Sequence, residues 1–171
     1  MNRLELRTAV WFDFDSTLAH TRHRWHLSPM ADPDSTWDAY CAARTGDTPI
    51  AGPVAAARVH YLHHQVHVFS GSAESSRQVS LQWLDRHRVP YDSLRQRPPG
   101  DRRNNAEIKI GYIRELQALG IDVLFGYEDH PEVAADIEKE TGTPVIVVNP
   151  RYPEDEEKFR RGRHDGMGGG L

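Results

Sequence analysis

Ala9-Val10-Trp11-Phe12-Asp13-Phe14-Asp15-Ser16-Thr17-Leu18 is the stretch on which the fold turns, because an unbroken apolar run stops at two carboxylates. A short continuous apolar run suits a strand buried on both faces of a parallel sheet. Residues two apart on an extended segment point the same way, so Asp13 and Asp15 are expected to face one site. Neighbouring carboxylates rarely keep equal pKa values. One is expected to stay ionised as a nucleophile, while the other holds a proton for a leaving group. A plain capping or calcium loop is the alternative. An EF-hand beginning at Asp13 fails, since Leu18 stands where the turn glycine belongs and Arg24 where the final glutamate belongs.

Similar apolar runs recur outward from this stretch. Val66 to Phe69 stops at Ser70-Gly71-Ser72, Ile121 to Tyr127 ends at Glu128-Asp129, and Pro144 to Val148 precedes Asn149-Pro150; a weaker candidate lies near Ser93 to Gln96. Between them run amphipathic helical patterns over Val54–His64, Ala73–His87, Ile108–Leu119 and Glu132–Thr141. Asn104 with Glu107 has capping-box spacing, and Gly142 is a stop signal. Strands alternating with helices predict an α/β fold: a three-layer, Rossmann-like parallel sheet with helices on both faces. Its functional groups should gather at the carboxyl ends of the strands, where Asp13, Ser70 and Asp129 all fall. Residues 18–49, which carry Trp25, Trp37 and several histidines, read as a minimal lid insertion with one helix near Ser35–Arg44.

The 171 residues fit one domain, 1–150, followed by a charged, glycine-rich tail over 151–171 that is expected to be partly disordered. With 38% hydrophobic and 27% charged residues the composition is that of a soluble globular protein, and the net charge of −4 gives no global pull toward nucleic acid. The N-terminal residues lack the apolar core of a signal peptide, and no window has the apolar length of a membrane span. Cys41, the single cysteine, excludes an intrachain disulfide and fits a reducing, cytoplasmic setting.

Three further positions carry chemistry, each with a plainer alternative. The Ser70 hydroxyl and Gly71 amide suit phosphoryl oxygens, although serine here also suits a helix cap, as does Ser72. Lys109, one turn into a helix, suits neutralisation of a transferring group; alone it would be a surface lysine. Glu128 and Asp129 offer oxygen ligands to a hard divalent cation beside Asp13, or else Asp129 caps the helix that begins near Pro131. Arg86, Arg88, Arg95, Arg97, Arg102 and Arg103 concentrate positive charge that suits phosphates, or a solvated surface. Trp25 and Trp37 suit stacking on a terminal base, but tryptophans in an insertion more often anchor a small core. His20, His23, His26, His60 and His64 show no converging zinc set, and Cys41 reads as a buried small residue.

Taken in order, Phe12-Asp13-Phe14-Asp15-Ser16-Thr17-Leu18, Ser70-Gly71, Lys109 and Glu128-Asp129 resemble the four motifs of the haloacid dehalogenase superfamily, over roughly Thr8 to Val148. The resemblance implies that Asp13 accepts a phosphoryl group and that Asp15 is the acid–base partner. It also implies Mg2+ held by Asp13, the Asp15 carbonyl and Asp129, with Glu128 alongside. His23-Arg24, Trp37-Asp38, Ser80 with Trp83-Leu84, Val89-Pro90-Tyr91-Asp92 and Arg97-Pro98 with Gly100-Asp101-Arg102 look more narrowly like the phosphatase domain of phage-type polynucleotide kinase/3′-phosphatases. That likeness implies a nucleic-acid 3′-phosphate end as substrate, bound by Thr17, Gly71, Arg24, Arg77, Arg97 and Arg102. Ser16 departs from the usual glycine, Ser72 from the usual arginine, Asn105 from an often acidic position, and Glu128 from the usual aspartate. No G-x-x-x-x-G-K-[ST] occurs, so a kinase or ligase partner would be a separate protein. A small-molecule phosphatase, acting for example on nucleotides, and a catalytically weakened phosphate-binding module of the same fold are the alternatives.

Overall fold

The computed structural model describes Arg3 and residues 6–148. The expected tail over 151–171 lies outside the described residues. In chain order the elements are β1 (Thr8–Asp13), β2 (Ala19–His20), α1 (Trp37–Ala42), β3 (Thr48–Pro49), α2 (Ala51–His60), β4 (Gln65–Ala73), α3 (Arg77–Arg86), β5 (Ser93–Arg97), α4 (Asn105–Ala118), β6 (Asp122–Glu128), α5 (Pro131–Thr141) and β7 (Val145–Val147). Five strands form one sheet in the order β5-β4-β1-β6-β7, every pairing parallel.

The period-two alternation of β1 builds both layers. Val10 and Phe12 join Val54, Ala57, Trp83 and Leu84 beneath α2 and α3. Ala9 and Trp11 join Ile108, Ile113, Leu116 and Ile137 beneath α4 and α5. All four β1 residues are fully buried, which explains why the run carries no polar residue. Each large side chain buried this way contributes about 1.5–3 kcal/mol of transfer free energy. The strand order reverses direction at β1, whose neighbours are β4 on one side and β6 on the other. At such a switch point a crevice opens beyond the carboxyl ends of the two central strands. The β1–β6 register ends at Phe12 opposite Tyr127, so the next residues out are Asp13 and Glu128.

The largest departures from the expected boundaries are at the end of β4, the start of α3 and the end of α2. β4 continues through Ser70-Gly71-Ser72 to Ala73, because the strand pairs with β5 again at Ala73 and Arg97 after a register shift. A 3-10 turn over Glu74–Ser76 follows, which delays α3 to Arg77. α2 stops at His60 rather than His64; the Arg3 guanidinium donates to the carbonyls of Tyr61 (2.5 Å) and His64 (2.7 Å) and so holds this turn out of the helix. The capping box at Asn104 and Glu107 forms, and Gly142 ends α5 with a positive φ of 70°.

The insertion is rooted by a two-stranded antiparallel ribbon absent from the sequence reading, in which Ala19 pairs with Pro49 and His20 with Thr48. Its helix, α1, is short. Thr36 caps it, accepting from the Ala39 amide at 3.1 Å. No helix among the described residues is long and apolar enough to cross a membrane.

Candidate active site

β1, β6 and α4 bring four charged groups together at the switch point. The Lys109 ammonium donates to Asp13 Oδ1 at 2.6 Å and to Glu128 Oε2 at 2.5 Å, and all three side chains are buried. Lys109 reaches this point because the capping box fixes the start of α4 and because Asp13, sharing the parity of Trp11, faces the α4 layer. Ligand oxygens of Asp13, Glu128 and Asp129 lie within 4.8 Å of one another. Three carboxylates against one ammonium leave about two negative charges when all are ionised, and hard carboxylate oxygens are the donors that Mg2+ prefers. The residues therefore fit a divalent cation.

Burial pushes the Asp13 carboxyl up, Lys109 pulls it back, and Glu128 and Asp15 push it up again, to about 7. Burial alone would lower the Lys109 ammonium, but Asp13 and Glu128 outweigh it and hold the pKa above the ordinary lysine value.

Asp15 is held differently. Arg24 donates to its Oδ1 at 2.5 Å, while Arg44 (2.7 Å) and the Ser72 hydroxyl (3.0 Å) donate to Oδ2. Both guanidiniums are fully buried and both come from the insertion. Arg24 also pairs with buried Asp47, and Arg44 also hydrogen-bonds Ser72 and Ser80. Burial would raise the Asp15 carboxyl, but Arg44 and Arg24, with the Arg24 and Ser72 hydrogen bonds, hold it well below the usual carboxylate range. Asp15 is therefore held firmly ionised, because two desolvated guanidiniums face it.

The substrate-binding expectations divide. Arg24 lies beneath Asp15 and has no solvent exposure, so it positions the carboxylate instead of lining the cavity. Thr17 is likewise fully buried and absent from the cavity wall. Ser70 is also buried; its hydroxyl accepts from the Ser72 amide at 3.1 Å and points to Asp15 at 3.4 Å, leaving Gly71 and Ser72 at the cavity surface. Arg77 turns to Glu74 and the Leu94 carbonyl, and Arg102 is exposed away from the cavity. Arg97 does line it, donating to the Gly71 carbonyl at 3.0 Å and to Asn105 Oδ1 at 2.8 Å. Gly71 lets Asn105 lie against the strand, since an added Cβ would stand 2.2 Å from Asn105 Oδ1 and push that side chain aside.

The other arginines disperse. Arg86 donates to the Thr45 carbonyl, Arg95 pairs with Glu115, and Arg103 pairs with Asp101. They form no single basic face at the site. The helix-cap alternatives also fall away: His130, not Asp129, precedes Pro131 at the start of α5, and Ser72 lies within β4.

A cavity of about 1130 Å3 opens over Asp13, Asp15, Lys109 and Asp129. Much of its remaining wall comes from the insertion, through His20, Arg22, Trp25, His26, Trp37 and Tyr40. Trp25 and Trp37 therefore serve the cavity wall rather than a small separate core, and Trp37 is 50% exposed. Arg44 is the residue the sequence reading missed. Nothing in a surface-like Ala-Arg-Thr-Gly segment marks a side chain that folds back to Asp15. His60 packs against Phe125 and Tyr127, and among the described residues the only cluster of three or more potential metal-ligating side chains is Asp13, Glu128 and Asp129.

No family model and no curated protein matches the chain. Solved structures do. A chain of the Pnkp1/Rnl/Hen1 RNA repair complex superposes with a TM-score of 0.70 at 21% identity, over 84% of this chain and 42% of that one. A haloacid dehalogenase-like hydrolase from Streptococcus pneumoniae gives a TM-score of 0.61 at 11% identity, covering 82% of this chain and 83% of that one. A putative beta-phosphoglucomutase from Thermotoga maritima gives 0.54 at 14% identity, over 88% and 91% of the two chains. The chain spans less than half the length of the repair-complex chain it matches. The fold is that of the haloacid dehalogenase-like proteins.

Proposed function

We propose, from a chain with the haloacid dehalogenase fold, that the site is a Mg2+-dependent phosphomonoesterase acting through Asp13 and removing 3′-phosphates from nucleic-acid ends. One observation carries the reading: Lys109 bridges Asp13 and Glu128 at the carboxyl ends of adjacent strands, with Asp129 close enough to share a cation with them. Asp13, Glu128 and Asp129 would hold Mg2+, with the Asp15 carbonyl alongside, and the bound ion would neutralise charge on the phosphoryl oxygens.

In this proposal an Asp13 oxygen attacks phosphorus, a new O–P bond forms, and the bond to the substrate oxygen breaks. Lys109 balances charge on the transferring group. Asp15, once it has taken up a proton from solvent, would give it to the leaving oxygen. It would then take a proton from the water that attacks phosphorus, as the Asp13 O–P bond breaks and phosphate leaves. Arg97, Gly71 and Ser72 are the surface available to phosphate oxygens. The cavity of about 1130 Å3 has room for the terminal nucleotide of a polymer. A ligase or kinase partner is in keeping with the fold likeness to a chain of an RNA repair complex.

The grip of two guanidiniums on Asp15 favours a second reading, a weakened phosphate-binding module, because an acid held ionised is a poor proton donor. Phosphate release from a 3′-phosphorylated oligonucleotide in Mg2+ separates the two. The phosphatase reading expects turnover that Asp13→Asn lowers by about 1000-fold or more while the far-UV spectrum is retained. Undiminished turnover in that variant refutes it, and tight binding without turnover in the parent protein favours the binding module.

A further inference from the structure

We infer that Trp37 is a stacking platform for the base of the nucleotide whose phosphate is presented to Asp13. The inference rests on the proposed reading of the site as one for nucleic-acid ends. Trp37 is a large apolar side chain left 50% exposed on the wall of the same cavity that exposes Asp13, Asp15 and Lys109. Its position is held by a continuous chain of contacts from the floor. Arg24 donates to Asp15 at 2.5 Å and to the Tyr40 carbonyl at 3.1 Å, and its guanidinium lies 4.0 Å from the centre of the Tyr40 ring. The Trp37 and Tyr40 rings are perpendicular, with centroids 5.5 Å apart at 89°. Thr36 caps α1 at the residue before Trp37, and Asp38 accepts from the Ser75 hydroxyl at 3.4 Å, which ties the helix to the turn after β4.

A T-shaped contact engages at most one face of the indole and leaves the other for another planar group. Charged groups on the floor select a phosphoryl group. The indole on the wall then selects what a phosphomonoester carries beside it, and a nucleobase is the planar group a nucleic-acid end supplies. Every base has a π-face, so this contact gives grip without sequence preference.

The test compares kcat/KM on two oligonucleotides bearing a 3′-phosphate, one ending in a normal nucleotide and one in an abasic residue. Trp37→Ala is expected to lower the ratio of the two values by about 5- to 100-fold, mainly through KM on the base-bearing end, and Trp37→Phe to restore most of it. An unchanged ratio, or equal losses on both substrates, overturns the inference while leaving the phosphatase reading intact. If the parent protein hydrolyses neither oligonucleotide, the phosphatase reading fails and stacking is judged by binding alone. Quenching of tryptophan fluorescence by a nucleoside 3′-monophosphate that Trp37→Phe removes supports it, and equal quenching in both proteins overturns it. A dimer of the parent protein that Trp37→Ala dissolves would give the exposed ring to a second copy and also overturn it.

Discussion

Asp15 shows how the surroundings of one side chain override a rule about pairs. Adjacent carboxylates are expected to part in pKa, and here their surroundings push Asp13 up and hold Asp15 down. Arg24 and Arg44 face Asp15, whereas Asp13 has one ammonium and two neighbouring acids. Arg44 is central to this arrangement, being fully buried with its guanidinium shared among Asp15, Ser72 and Ser80. Truncating Arg44 would strip Asp15 of one of its two guanidiniums and leave the buried Ser80 hydroxyl and the Ser72 hydroxyl short of a partner. Arg44→Ala should therefore destabilise the protein by about 3–5 kcal/mol, read from the urea midpoint, whereas a surface arginine such as Arg102 should cost little when replaced. Ser16 adds a local strain, with φ at 64° where most side chains are disfavoured. Its hydroxyl, 2.8 Å from the Thr21 hydroxyl, ties the turn to the start of the lid.

At the scale of elements, the sheet's close packing depends on β6 approaching β1 without a side chain at Gly126. A Cβ there would stand 1.8 Å from the Trp11 ring, which is fully buried and stacked on Phe69. Gly126→Ala is expected to lower stability by about 1–3 kcal/mol or more, seen as a fall in Tm, since neither the strand nor the indole has room to move. β4 supplies a pH dependence. His67 is buried between Ser93 and Gln65, bonded at 2.7 and 3.1 Å, and burial outweighs the pull of Asp92 to bring it down to about 4 from 6.5. A depressed histidine favours the neutral folded form. Its contribution is whole above 6.5 and is lost as pH falls from 6.5 toward 4. His67→Gln should flatten that part of a Tm–pH curve, by on the order of 3 kcal/mol at the acid end, and an equally steep curve in the variant would contradict this origin.

At the scale of the whole molecule, the sheet concentrates like charges at one edge, and the site's cohesion should depend on a cation. Mg2+ is expected to raise Tm in a concentration-dependent way, by about 2.7 kcal/mol of stability at 100 times its Kd, with chelation reversing the gain. Asp129→Asn should weaken that response. A Tm indifferent to Mg2+ would mean the carboxylates do not share an ion. The insertion is bound to the core by the same charges, because its two buried arginines end on a carboxylate that follows β1. Lid and floor are therefore coupled at rest.

The alternation of apolar runs with amphipathic helices determined the parallel sheet, and the carboxylates after Phe12 and Tyr127 marked its working edge, because strand burial and helix periodicity are local properties written in spacing. The Asn104 cap and the Gly142 stop were legible for the same reason. Only the tertiary structure decided that Arg24 and Arg44 lie under Asp15, that the arginines from 86 to 103 disperse, and that Trp37 faces the cavity. The arginine outcomes depend on which partners a long side chain finds, 9 and 29 residues away for Arg24 and Arg44 and up to 41 residues away for Arg86. Pairing at that range is set by the closure of the β2–β3 ribbon and the packing of the insertion over β4, and no periodicity within a segment encodes it.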